Sequence, residues 1–475
     1  MFGALVKMTD KLDPVPDLAE EIDVSPDAKT YTFALRPNLR FNDGEPLTAR
    51  DVVFTIERAV DARTGSYWQG RLLGIAGAQA YSTQEAQTIS GIETPDDRTI
   101  KITLAEPDST FLVTLGSFSG LGILPAHVLK DVPPDQMAQH SFALAPTVSA
   151  GAFEFVTYQT DQYLELQRNE TYAGPAPALD RLFLRILQPD TALAALERGE
   201  LDLLSVPTEE VERVKNIPNV TVVSVPSPSI DQIGINLDRP YFQDKRVRQA
   251  MMYAIDRQAI VEAILQGEAR VINSPIIGPD WMGTPEFIPY AFDVEKARQL
   301  LQEAGWDSSQ RVELMLRSDI SKIRVAVAPI IQEQLRAAGM AVELLQVEGA
   351  EANRKFIQES DYDLYFYGGG VYRADPSISA LYYHSRNLTP GGGNGTRYVN
   401  PEIDTLFQQG QAITDLEERK RIYTEVARIL NEDIPTVFLW SPNSIFATSR
   451  RLQGFAAPSY VDNQLWNAED WWVSG

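Results

Sequence analysis

The chain has 475 residues, enough for about three domains and a large core. Acidic residues number 65 against 42 basic, a formal net charge of −23. Such a surface repels phosphate backbones and anionic lipid heads, which disfavours nucleic-acid and membrane-surface binding, and the absence of cysteine excludes disulfides, thiolate metal sites and a cysteine nucleophile.

No apolar run approaches the ~20 residues needed to span a bilayer. Met1-Phe2-Gly3-Ala4-Leu5-Val6 lacks the basic region, apolar core and small-residue cleavage site of a secretory signal. Taken alone, that start reads as cytoplasmic.

The first strong signal runs from Ser25 to Ile56. Tyr31-Thr32-Phe33-Ala34-Leu35 alternates as a half-buried strand, and Asn42-Asp43-Gly44 supplies residues that tolerate a tight turn. Thr48 stands at an N-cap position, its hydroxyl placed to accept an orphan backbone N–H, with Asp51 in the first turn. Val52, Val53 and Ile56 then recur at helical spacing. Ile92 to Leu104 reads as a hairpin turning at Pro95-Asp96-Asp97-Arg98. Short strands are predicted at Tyr163–Leu166 and Leu179–Ile186, with a helix over Thr191–Arg198.

The Pro/Ser-rich stretch Val225–Ser229 breaks regular structure before a strand around Ile233–Leu237. Helices are predicted over Val247–Ile255, Val294–Ala304 and Ile323–Ala338, the last two ended by Gly305 and Gly339. Asp361-Tyr362-Asp363-Leu364-Tyr365-Phe366-Tyr367 leads into Gly368-Gly369-Gly370.

Chemistry-bearing motifs are scarce. The three histidines, His127, His140 and His384, stand at no metal-ligand spacing, and a Walker sequence is absent. Gly391-Gly392-Gly393-Asn394-Gly395 fits neither phosphate-binding pattern and reads as a flexible loop. Gly116-Ser117-Phe118-Ser119-Gly120 carries Phe118 where a hydrolase elbow needs serine. Carboxylates are plentiful, so composition leaves a two-carboxylate glycoside hydrolase open. Most of them fall on polar faces or at caps, where solvation explains them.

The residue strings are more specific than their patterns. Phe41-Asn42-Asp43-Gly44-Glu45-Pro46-Leu47-Thr48-Ala49-Arg50-Asp51-Val52, Val247-Arg248-Gln249-Ala250 to Arg257, Val294 to Trp306, Tyr398-Val399-Asn400-Pro401-Glu402 and Asp433-Ile434-Pro435-Thr436 follow one another in a known order. Together they resemble the extracytoplasmic solute-binding proteins of ABC importers, in the large peptide, oligopeptide and nickel-binding class (family 5 type), across nearly the whole chain.

The resemblance implies an α/β, two-lobed periplasmic-binding-protein fold (class II, large peptide-binding type) with an extra α+β domain. Lobe I would comprise residues 1–21, 176–238 and 446–475, the extra domain 22–175, and lobe II 239–445. It also implies a small solute, a peptide, an oligosaccharide or another small polar ligand, captured between the lobes of a monomer, with ABC permease subunits as partners and no cofactor, metal, catalytic residue or nucleic acid. Its location would be periplasmic or at the cell surface. The family also carries a strand and a ligand-touching loop ahead of the segment matching Met1 to Val6, so an upstream extension with an export signal is expected.

Among site residues, the resemblance points first to Gly368, Gly369, Gly370, Val371 and Tyr372, whose glycines expose backbone for extended-chain recognition. A tight turn after a buried strand is the alternative. Trp68, Phe118, Trp281 and Trp440 lie in segments resembling loops and strands near the family's cleft, and each could equally be core. Gln232 is a further polar candidate. Asp375 precedes Pro376 as the family's acidic residue does, where a structural cap is the other reading. Peptide binders of the family pair the ligand's α-amino group with an aspartate that falls here on Tyr372. A tyrosine is neutral at pH 7, so the resemblance leaves peptide specificity open.

Overall fold

The computed structural model describes all residues except 117–119, 228, 278–279, 284, 320, 371–374, 389, 391, 459–463 and 475. Strands β1 (Ala19–Val24) and β2 (Thr30–Leu35) pair antiparallel. The expected alternation holds in β2: Tyr31, Phe33 and Leu35 are buried and the residues between them are not. Helix α1 (Ala49–Val60) lays Val52, Ile56, Ala59 and Val60 into the same core. At its start the Asp51 carboxylate accepts the Thr48 backbone N–H at 2.9 Å and the Thr48 hydroxyl at 3.2 Å. Asp51 reaches back to the Thr48 N–H as the third residue of a capping box does, but the threonine hydroxyl donates to Asp51 and the Asp51 N–H goes to the Thr48 backbone carbonyl.

Strands β3 (Ile92–Glu93) and β4 (Thr99–Thr103) form the expected hairpin, giving the order β1-β2-β4-β3. Asp96 shapes its turn by accepting the backbone N–H groups of Arg98 and Thr99 at 2.8 and 2.9 Å. A separate antiparallel meander follows: β5 (Phe153–Gln159), β6 (Tyr163–Arg168) and β7 (Arg181–Arg185).

Apart from two short antiparallel pairs, Val6–Met8 with Pro14–Pro16 and Leu452–Gln453 with Trp472–Val473, the other described strands share one sheet. They are β8 (Leu203–Ser205), β9 (Val220–Pro226), β10 (Ser229–Ile235), β11 (Ala269–Val271), β12 (Arg311–Arg317), β13 (Ala341–Val347), β14 (Leu364–Gly370) and β15 (Thr436–Ser449). The path is β8-β15-β10-β14-β12-β13, with β9 and β11 also on β15. The Pro/Ser-rich break therefore separates two strands that both pair with β15.

Helices α2 (Lys245–Ala254), α3 (Val294–Glu303), α4 (Lys322–Ala338) and α5 (Leu416–Asp433) bury apolar faces in the largest core, with Ile233, Phe366, Phe438 and Trp440. Aspartates cap three of them: Asp244, Asp293 and Asp415 accept the N–H groups of Arg246, Lys296 and Glu418 at 2.8–2.9 Å. Gly339 ends α4 at φ 105°.

The glycine-rich stretch is not the loose loop its composition suggests. Asn394 is fully buried and donates to the Tyr398 carbonyl at 2.8 Å. A Cβ on Gly392 would stand 2.1 Å from the Asn387 carbonyl oxygen. Gly391 lies outside the described residues.

Candidate functional site

Strands β12, β13 and β14 are parallel, β12 lying between the other two. In such sheets ligands gather at the carboxyl ends of the strands, because the loops and helix N-termini there carry polar groups the core cannot. Here that edge ends in Gly368-Gly369-Gly370, and α4 begins beside it, five residues after β12 closes at Arg317. The antiparallel strand β10 crosses alongside, setting Asp231 opposite both Gly368 and Trp440.

These three facing positions carry a polar network. Arg324, in the first turn of α4, donates from Nε to Asp231 Oδ1 at 2.6 Å. Trp440 donates from Nε1 to Asp231 Oδ2 at 2.8 Å. Asp231 is buried and Trp440 fully so, whereas the Arg324 side chain keeps 20% of its surface. Gly368 makes room for this. A Cβ there would lie 1.7 Å from Arg324 Nη2 and 2.4 Å from Asp231 Oδ1.

On the other face of the sheet, Gln232 is buried and its side-chain oxygen accepts the Tyr383 hydroxyl at 3.4 Å. The same hydroxyl meets Thr436 Oγ1 at 3.0 Å. Burial pushes the Tyr367 and Tyr383 phenols up, so both are neutral donors at physiological pH. A cavity of ≈ 20 Å³ lies between Ile230, Gln232, Tyr367, Gly369, Tyr382 and Tyr383. A Cβ on Gly369 would meet nothing within 4 Å, so the face of the strand is open there, while Gly369 itself pairs with Ile230 of β10. Gly370 ends the strand opposite Ser229.

The other predicted site residues divide. Asp375 caps the turn Pro376–Ser379 by accepting the Ser377 N–H at 2.9 Å. It also takes both oxygens to Arg419 Nη2, at 2.8 and 2.9 Å, in a buried pair. Burial lowers the Arg419 pKa, but Asp375 more than reverses this and holds the guanidinium above its ordinary value. Trp281 packs half-buried on the large core, its ring centroid 5.4 Å from the Arg419 guanidinium. Trp68 packs on the other core, that of α1 and β2, and joins neither cluster. Phe118, Val371 and Tyr372 lie outside the described residues.

Sequence reasoning missed Asp231, Arg324 and Tyr383. The one available signal was the polar pair Asp231-Gln232 set between Ile230 and Ile233 in a predicted strand region. Arg324 sits in an amphipathic helix, where a lone arginine looks like any solvated residue.

Residues 13–389 match the bacterial extracellular solute-binding proteins, family 5 (middle region). The chain belongs to this family. As a family 5 member it is a solute-binding protein of an ABC transporter that takes its solute between two lobes. An ABC transporter peptide-binding protein of Brucella ovis is 31% identical over 462 residues, covering 96% of this chain and 84% of that one. Among solved structures, the oligopeptide-binding protein AppA of Bacillus subtilis, in complex with a nonapeptide, superposes with a TM-score of 0.80. It is 26% identical, and the match covers 100% of this chain and 93% of that one. AgaA from Agrobacterium tumefaciens, in complex with agropinic acid, gives a TM-score of 0.78 at 26% identity, covering 100% and 93%. Family 5 proteins are extracytoplasmic, and among the described residues no helix is long and apolar enough to cross a membrane.

Proposed function

We propose that the ligand of this family 5 protein is a short peptide, or another small polar solute of similar reach, bound along the Gly368–Gly370 edge. The observation that carries the reading is the end of β14: its pairing with β12 stops at Phe366, so among the described residues Tyr367 to Gly370 have no partner strand on that side, and the face over Gly369 is open. An extended ligand can pair with such main chain while its side chains fill adjoining space. The relatives named for peptides support this ligand class, and nothing among them supports an oligosaccharide.

In this reading the protein is a monomeric receptor in the periplasm or at the cell surface. It binds without turnover, needs no cofactor, and hands its ligand to permease subunits. Lobe I (residues 1–21, 176–238 and 446–475) and lobe II (239–445) close on the ligand, with 22–175 as an added domain. Closure follows only if the ligand binds the closed form more tightly.

Thermal-shift screening of tri- to nonapeptides, followed by small-angle scattering at saturation, tests the proposal. Stabilisation with a smaller radius of gyration is expected. An unchanged radius at saturation would refute closure, and conversion of many peptide molecules per protein chain would refute the non-enzymatic reading.

A further inference from the structure

We propose that the added unit 22–175 takes part in closure through a latch: its Asp108-Ser109 corner docks onto the C-terminal end of the helix Pro401–Ala412 when the lobes come together. The inference rests on the two-lobe closure above and adds a contact that needs no ligand atom.

Ser109 donates its backbone N–H to the Gln411 carbonyl at 2.9 Å. The two partners belong to units that share neither a sheet nor a hydrophobic cluster. Ser109 leads directly into Thr110 and Phe111, and Phe111 is buried with Tyr31, Val52 and Ile56. The helix of Gln411 buries Ile403 and Phe407 in the large core instead. The sheet β1-β2-β4-β3 has no strand in common with the eight-stranded sheet.

Each side is prepared for this bond by its own local structure. The last carbonyls of a helix have no partner within it. The Gly410 carbonyl is taken by Arg419 Nε at 3.1 Å, and the next one, that of Gln411, is left for a donor from outside. On the other side, Asp108 builds a fixed corner. Its carboxylate accepts the Thr110 N–H and hydroxyl at 3.0 and 2.7 Å, and its carbonyl accepts the Tyr31 hydroxyl at 2.5 Å. Its own N–H goes to the Ala28 carbonyl at 3.1 Å. The Ser109 N–H is thereby aimed outward with little freedom left to lose.

Two more observations bring the units into close contact at this point. Ser109 Oγ is enclosed, with no hydrogen-bond partner among the described residues, so solvent does not reach the seam there. Burial, helped by Asp108, pushes the Tyr31 phenol up, and the Arg419 guanidinium of the other unit is near enough to oppose that push. When the lobes part, water can meet both ends of the Ser109–Gln411 bond, so the contact is reversible. One main-chain hydrogen bond shifts such an equilibrium about 3- to 10-fold. A permanent attachment of the added unit to lobe II is the competing account, and it allows no change of shape when the contact is fixed.

The chain has no cysteine, so an engineered disulfide reports on this contact alone. The N–H···O bond keeps the two Cα atoms within about 7 Å, the upper reach of a disulfide. The full chain carrying Ser109→Cys and Gln411→Cys is compared oxidised and reduced, by small-angle scattering with no solute added. The oxidised form is expected to have the smaller radius of gyration, and dithiothreitol should restore the wild-type radius, which also controls for folding. Tri-alanine through nona-alanine then serve as probes. Oxidation before they are added should block binding, and oxidation afterwards should trap the bound peptide. Ser109→Trp, which wedges the seam, should weaken binding about 3- to 10-fold, whereas Ser109→Ala, which keeps the N–H, should not. Equal radii for the two forms, failure of the disulfide to form in the native protein, or wild-type affinity in the oxidised form or in Ser109→Trp overturns the latch. Binding of none of these peptides by the wild type overturns the peptide reading alone, and the radii still decide the latch.

Discussion

Replacing Gly368 by alanine probes the polar network with one methyl group. The added Cβ would fall 1.7 Å from Arg324 Nη2 and 2.4 Å from Asp231 Oδ1, distances no structure sustains. Strand β14 is held by β10 at Gly368 and by β12 as far as Phe366, so the arginine must move. Breaking a buried ion pair by removing one partner costs about 3–5 kcal/mol, most of it from the charge left behind. Here the Arg324 side chain is 20% exposed and can turn to water, and Asp231 retains its bond from Trp440. About 2–3 kcal/mol of destabilisation is therefore expected. Denaturant unfolding at pH 7 of wild type, Gly368→Ala, Arg324→Ala and the double variant provides the assay. Both single changes break the same contact, so the double variant should cost little more than either, a coupling of about 1.5–3 kcal/mol. A Gly368→Ala protein within about 0.5 kcal/mol of wild type, or strictly additive penalties, would refute the reasoning.

Two further outcomes follow from other charge pairs. Asp375→Asn leaves Arg419 buried without its counter-charge and is expected to destabilise by about 3–5 kcal/mol in the same assay. Asp202 accepts Arg451 Nε and Nη2 at 2.5 and 2.9 Å and the Ser449 hydroxyl at 2.7 Å. Burial raises its pKa, but these donors prevail and hold the carboxyl below its ordinary value. A depressed carboxylate stabilises fully above its unfolded pKa and loses that contribution as pH falls through the folded one. Asp202→Asn should thus be less stable than wild type at pH 7, by no more than about 1 kcal/mol for a pair this exposed. The gap should close below about pH 4, and a constant gap from pH 7 to pH 3 would exclude the mechanism.

Local periodicity made much of the fold legible. The alternation of Tyr31, Phe33 and Leu35, the helices ended by Gly305 and Gly339, and the Asp96 turn are each set within a few residues. The site was legible only in part. Gly368–Gly370 announced an open strand end, but the partners that define its chemistry come from residues about 40 to 140 positions away in sequence. Asp231 and Trp440 are placed by antiparallel registers with neighbours 137 and 209 residues distant, and no local pattern encodes such a register. Trp440 illustrates the ambiguity of aromatic residues: its ring is core and its N–H is part of the polar network. The glycine-rich loop misled for a related reason. Glycines permit close packing as readily as they permit freedom, and Gly395 lies against the Phe356 ring.

Strand β15 runs unbroken for 14 residues. Its far end, from Asn443 to Ser449, pairs with β8 and β9, and its near end, from Thr436 to Pro442, pairs with β10 and β11. Melting the near half would strip the far half of a shared, rigid partner, and the reverse also holds. The two ends therefore stand or fall as one cooperative unit, although their apolar clusters are separate. A break in that strand would turn one unfolding event into two.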